Sequence, residues 1–143
     1  MIRVIGLGSP FGDDRVGWRV IELLQALVPA EVDLVALDRP GAALINWIKG
    51  VDHLVLVDAL RSGASPGSIV TLTPSELRTE SGRLTSHSLA LADTFRLAKT
   101  LGNLPDRIDI YGIELSGLND TGLSEVASAA ADALTSLIVE KLA

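Results

Sequence analysis

The residues best suited to chemistry in this 143-residue chain are acids placed at loop ends and one histidine. The segment GLGSPFGDDRVG, residues 6–17, spaces Gly6, Gly8 and Gly12 ahead of the acidic pair Asp13 and Asp14. A glycine-rich turn between a strand and a helix suits a dinucleotide fingerprint, and Asp38 stands where a ribose-binding acid would. The two aspartates argue against that reading. They occupy the helix N-terminus where a phosphate would sit, repel it, and compete for the same N–H groups. Pro10 also removes one donor from the loop. One aspartate suffices to cap the helix, so the second is available for other work. Asp58 directly follows the apolar run Leu54 to Val57, and His87 opens a later helix with Thr85 or Ser86 as its expected cap. A helix N-terminus disfavours imidazolium and leaves His87 as the neutral ring that ligates metal or acts as a base. The other histidine, His53, lies at the opposite end of its strand and reads as structural.

These residues need a scaffold that brings them together. Short aliphatic runs at Ile2–Leu7, Val32–Leu37, Leu54–Val57, Ile69–Leu72 and Ile108–Ile113 predict five strands. Helical spacing predicts helices over Asp14 to about Val28, Ala42 to about Ile48, His87 to Thr100 and about Leu123 to Leu142. Alternation of strand and helix predicts an α/β, three-layer sandwich: a five-stranded, mostly parallel sheet with helices on both faces, in one domain spanning residues 1–143. The link from Asp58 to Ser68 is too short for a crossover helix, so the strand at 69–72 should be an antiparallel edge strand. If the first three strands lie in the order 2-1-3, Asp14 and Asp58 flank the crevice at the carboxyl ends of neighbouring strands. Asp14, Asp58 and His87 then make a facial set of two carboxylates and one imidazole, able to hold Zn, Ni, Mn or Fe. Thr73 to Ser86 is a polar segment long enough to be functional.

Composition excludes several classes. There are no cysteines, which removes disulfide scaffolds, thiolate metal sites and thiol nucleophiles. The net charge of −6 argues against nucleic acid and against a basic membrane patch. With five aromatics (Phe11, Trp18, Trp47, Phe95, Tyr111) the core must be aliphatic. No segment resembles a targeting sequence or a membrane span, so a cytoplasmic protein is expected. No HExxH helix or Ser–His–Asp order is present.

The same segments resemble the hydrogenase maturation endopeptidases, which trim the C-terminal extension of the nickel–iron hydrogenase large subunit. GLGSPFGDDRVGWRV is similar to the family's opening motif and puts Asp14 on its metal-ligand acid. DHLVLVDAL puts Asp58 on the second ligand, and SHSLALADTF puts His87 on the third. IYGIELSGLNDTGLSEVASAA is similar to the C-terminal signature, with Glu114 on its acidic position. The likeness runs from about Ile2 to Leu137. It departs at Ser9, where Asn is usual, at Leu115, where Pro is usual, and at the loop DRPGAAL, which keeps Asp38 and Gly41 but gains Arg39 and Pro40.

The resemblance implies an endopeptidase acting on a nickel-loaded large-subunit precursor. Nickel arrives with the substrate and meets Asp14, Asp58 and His87, and zinc or cadmium can occupy the same site in vitro. Gly41 and Glu114 line the substrate. Either the metal or a carboxylate, Asp58 or Asp38, activates the water. A monomer is expected. The alternative is a non-proteolytic, doubly wound module that binds a small ligand or nucleotide.

Overall fold

The computed structural model describes residues 1–10, 12–38, 44–61, 63–74, 86–115 and 123–142, with the side chains of 86–90 outside the description. Strands β1 (Ile2–Gly8), β2 (Val32–Asp38), β3 (His53–Leu60), β4 (Ile69–Leu72) and β5 (Arg107–Glu114) form one sheet in the order β2-β1-β3-β5-β4. All neighbours are parallel except β4, which runs antiparallel to β5 at the edge. Both expectations from the sequence hold: the 2-1-3 order of the first strands and the reversed edge strand. The strand boundaries differ at β3. Asp58 lies within it rather than after it, because pairing with β5 continues through Asp58↔Gly112 to Leu60↔Glu114.

Helices α1 (Val16–Leu24) and α4 (Glu125–Leu142) cover one face, and α2 (Leu44–Ile48) and α3 (Ser86–Thr100) cover the other. The first face packs Val4, Val55, Val57, Tyr111 and Ile113 against Val20, Leu24, Ala131, Leu134 and Ile138. The second packs Ile5, Leu7, Leu54, Leu56 and Ile110 against Leu44, Ile48, Leu91 and Phe95. Successive residues of a strand point to opposite faces, so β1 and β3, apolar at nearly every position, must be covered on both sides. Each such Val, Leu or Ile contributes about 1.5–3 kcal/mol by leaving water.

The glycines of the first loop serve this packing. A Cβ on Gly17 would lie 2.3 Å from the Leu7 carbonyl oxygen, and one on Gly6 would lie 2.3 Å from the Gly17 oxygen. Helix α1 therefore crosses β1 backbone to backbone, a contact that only hydrogen side chains permit. The helix expected from Asp14 to about Val28 is shorter. It begins after a 3₁₀ turn at Gly12–Arg15 and ends at Leu24, with residues to Val28 completing a turn ahead of Pro29.

Candidate active site at the carboxyl edge of the sheet

Asp14 stands on the 3₁₀ turn that follows β1, and its position is set by backbone. Gly8 lets the turn fold back: a Cβ there would meet the Asp14 carbonyl oxygen at 2.5 Å. The Ser9 amide donates to that same oxygen at 3.2 Å, which fixes the start of the turn against the end of the strand. The side chain is buried, with 4% of the residue exposed. Its Oδ2 accepts from the Ser9 hydroxyl at 3.2 Å, and its Oδ1 lies 2.9 Å from Nη2 of Arg61. Ser9, which replaces the family's usual Asn, thus keeps a polar contact to the acid.

Asp58 reaches the same edge from the neighbouring strand β3. It is 8% exposed and lies one residue past the last β1–β3 pair, Gly6↔Val57. The Ala59 amide donates to its Oδ1 at 2.8 Å, which holds the carboxylate against its own strand. Asp38 ends β2, level with Gly8 across β1, and is exposed to solvent. The order β2-β1-β3 thus sets Asp38, Asp14 and Asp58 along one edge of the sheet.

The backbone of His87 is the second residue of α3, and its side chain lies outside the described residues. Helix α3 leads into β5, which begins at Arg107 on the amino edge, and its 15 residues span roughly 22 Å. Among the described residues, no group of three or more His, Asp or Glu side chains is gathered to hold a metal ion. Gly41, expected against the substrate, also lies outside the described residues, as does Thr85.

Two acids have roles that the spacing did not reveal. Neither Asp13 nor Asp14 caps α1; Arg15 holds the cap position, with no side-chain capping bond. Asp13 instead accepts from the Ser124 amide at 2.7 Å and from the Ser124 hydroxyl at 2.8 Å. Ser124 in turn caps α4, its Oγ accepting from the Ala127 amide at 3.2 Å. In a capping box, a Glu at the third helical position bonds back to the cap amide. Here that position is Ala127, and Asp13 does the work from a distant part of the chain. Glu114, expected to touch substrate, is fully buried. Its Oε1 accepts from the Ala64 amide at 2.8 Å, and its backbone pairs with Gly67 and Ser68. It pins the link between β3 and β4.

Sequence alone does not single out Arg61, yet the structure brings it into the site. The one signal available is its place three residues after Asp58, where a strand end brings any long side chain to the rim. A cavity of about 440 Å³ lies alongside, lined by Pro10, Arg15, Trp18, Arg19, Glu22, Leu123 and Ser128. Its lining includes neither Asp14 nor Asp58, so this hollow and the acidic edge are neighbours rather than one place. Trp18 closes its floor by donating from Nε1 to the Leu37 carbonyl at 2.8 Å.

A doubly wound α/β sheet with buried acids at its switch point defines a class of protein that works at the carboxyl edge. Comparison with known proteins narrows that class. Residues 18–141 match the model of the hydrogenase maturation proteases, and the chain belongs to that family. It is 26% identical over 117 residues to the hydrogenase 2 maturation protease of Escherichia coli, covering 78% of this chain and 71% of that protein. It is 25% identical over 126 residues to the hydrogenase expression/formation protein HupD of Rhodobacter capsulatus, covering 85% of this chain and 60% of that one. The chain thus spans under two thirds of the HupD length. Among solved structures, the HycI [NiFe] hydrogenase maturation protease of Thermococcus kodakarensis superposes with a TM-score of 0.80 at 26% identity, covering 99% of this chain and 91% of that one. The fold also matches the endopeptidase HybD of Escherichia coli, with a TM-score of 0.85 at 24% identity and the same coverage. Among the described residues, no helix is long and apolar enough to cross a membrane.

Proposed function

We propose that this chain is the endopeptidase that removes the C-terminal extension of a nickel-loaded hydrogenase large-subunit precursor. The observation that carries the reading is the placement of Asp14 and Asp58, two buried carboxylates at the ends of adjacent parallel strands, in a member of this family. Nickel is part of the substrate in this reading. Two carboxylates fit it as hard donors, and His87 at the start of α3 supplies the borderline nitrogen. Carried in with the precursor, the ion offers Lewis acidity near the bond to be cut.

The chain supplies the rest. Asp14 and Asp58 seat the substrate's metal, which registers one peptide bond against the edge. Asp38 is the general base: it is exposed on the same edge and has no ligand role, whereas Asp58 is committed to the metal. The water loses a proton to Asp38 and attacks the scissile carbonyl. The C–N bond breaks, and the proton passes to the departing amine. Glu114 acts through the β3–β4 link that it pins, not by contact. The nucleotide-binding alternative is disfavoured by the same loop, since Gly6 and Gly17 are consumed in strand–helix packing and two acids stand at the phosphate position.

The test is incubation of the purified chain with precursor in nickel-loaded and nickel-free forms, with products read by mass spectrometry. Release of one C-terminal peptide from the loaded form alone supports the reading. Equal cleavage of both forms, or of neither, overturns it.

A further inference from the structure

The acid expected to meet the metal is already engaged by a cation of the chain itself. Nη2 of Arg61 lies 2.9 Å from Oδ1 of Asp14, and the Ser9 hydroxyl holds the other oxygen at 3.2 Å. The Asp14 side chain is 5% exposed, so this pair is shielded from screening by salt. Guanidinium does not deprotonate in proteins, so the cation of the pair is permanent. Arg61 itself is 30% exposed and begins just past the end of β3, anchored there by the Leu115 amide on the Leu60 carbonyl. Its root is fixed, and its side chain is only partly buried although Nε is enclosed.

We propose that Arg61 is a counter-ion gate that determines metal specificity. It keeps Asp14 aimed while repelling free divalent ions, so that Asp14 takes a metal delivered inside a docked precursor in preference to a free ion. This rests on the reading that Asp14 meets the substrate's nickel. A bare ion has only its own charge with which to displace a paired guanidinium, and it meets a like charge on approach. A docking protein brings the additional contacts of a whole interface, with which to displace the Arg61 guanidinium as it seats. The gate lets the site demand its metal and its peptide together, so that stray ions do not fill it. Specificity of this kind is achieved as much by a repulsive element as by an attractive one.

The experiment is calorimetric titration of the intact chain with Ni²⁺ and with Zn²⁺, for wild type, Arg61→Gln, Arg61→Lys and the double variant Arg61→Gln/Asp14→Asn. Removing the like charge should tighten binding of either ion about tenfold or more in Arg61→Gln. Arg61→Lys keeps the charge and should stay within about threefold of wild type. The gain should vanish in the double variant. Arg61→Met supplies a second neutral side chain should the Gln variant fail to fold. Equal affinity in wild type and the neutral variants overturns the gate, as does a gain that survives loss of the Asp14 charge. Cleavage of loaded precursor separates the gate from the functional reading beneath it. Asp14→Asn that cleaves at the wild-type rate sinks that reading, whereas loss of cleavage alongside unchanged metal affinity in Arg61→Gln sinks the gate alone.

Discussion

The two edges of the sheet each carry an ionic cluster, and they are built on opposite terms. At the amino edge one acid, Asp109, is surrounded by bases. His53 Nε2 lies 2.7 Å from it, and Arg107 Nε and Lys141 Nζ each lie 3.4 Å away. The cluster cross-links β3, β5 and α4. At the carboxyl edge the proportions reverse. Asp13, Asp14, Asp58 and Glu114 are buried there, held by backbone amides, hydroxyls and the guanidinium of Arg61. An acid ringed by bases does structural work. At the carboxyl edge Asp13 and Glu114 also have structural tasks, held by amides and a hydroxyl, whereas Asp14 and Asp58 stand at the ends of adjacent parallel strands, where ligand sites gather. Of the two histidines, His53 completes the amino cluster.

Mutation of the acids themselves tests this contrast most severely. Asp58→Asn should lower precursor cleavage by about 10²–10⁴-fold while the melting temperature stays within a few degrees of wild type. Asp14→Asn should lose cleavage as far and, by breaking the pair with Arg61, should also lower the melting temperature. Asp109→Asn should do the reverse and leave cleavage intact. A fall in melting temperature in step with the loss of cleavage at Asp58 would erase the distinction between the edges. Next in size is the seam that presents the carboxyl edge. Gly17→Ala drives a methyl group into the Leu7 carbonyl, a backbone atom that cannot step aside. Overpacking of this kind should cost about 3 kcal/mol, or roughly 10 °C in thermal denaturation of a chain this size. Unchanged stability would mean that α1 does not ride on β1 as described.

Smaller again is the link from Asp13 to Ser124, in which an acid of the carboxyl edge has a structural task. Asp13→Ala leaves the Ser124 amide without its acceptor and should cost about 1–3 kcal/mol. Its effect on cleavage should be no more than the lost stability explains, measured well below the melting temperature. A large catalytic defect at full stability would move Asp13 into the site beside Asp14.

How much of this is legible in the sequence follows from the distance over which each signal acts. The reversed β4 is readable, because the short stretch between Asp58 and Ser68 permits no crossover, whereas the 2-1-3 order of the first strands enters the sequence reading only as a condition. Asp14 and Asp58 are readable as edge residues, since each sits at a strand's carboxyl end. Asp58 differs in one detail: the polar residue looks like the end of β3, whereas pairing with Gly112 carries the strand past it. The partners of the acids are not readable. Nothing local announces that Arg61 meets Asp14 or that Asp13 completes the cap of α4, because the fold alone brings those pairs together. The same holds for Glu114, which only the family resemblance sets against substrate, and whose bond to the Ala64 amide the fold alone creates.

The amino edge also answers to pH, with a more modest change. Burial pushes the Asp109 carboxyl up, but the hydrogen bond with His53, followed by Lys141 and Arg107, more than offsets this and holds it below the ordinary carboxylate range. A carboxyl whose folded pKa is depressed adds stability above its unfolded pKa of about 3.9, and that stability is lost as pH falls through the folded value. Asp109→Asn should therefore lower stability by about 1–2 kcal/mol at pH 7, in line with a hydrogen bond to a charged group. The gap to wild type should hold from pH 7 down to about pH 5 and narrow below about pH 4, where the wild-type carboxylate takes up its proton. Denaturant unfolding of both proteins at pH 7, 5 and 3 measures it. Cleavage at pH 7 should be the same for the two, because the cluster lies a full strand length from Asp14 and Asp58. A deficit as large at pH 3 as at pH 7 would mean that Asp109 contributes shape rather than charge, and the amino edge would no longer stand as the ion-paired counterpart of the acidic edge.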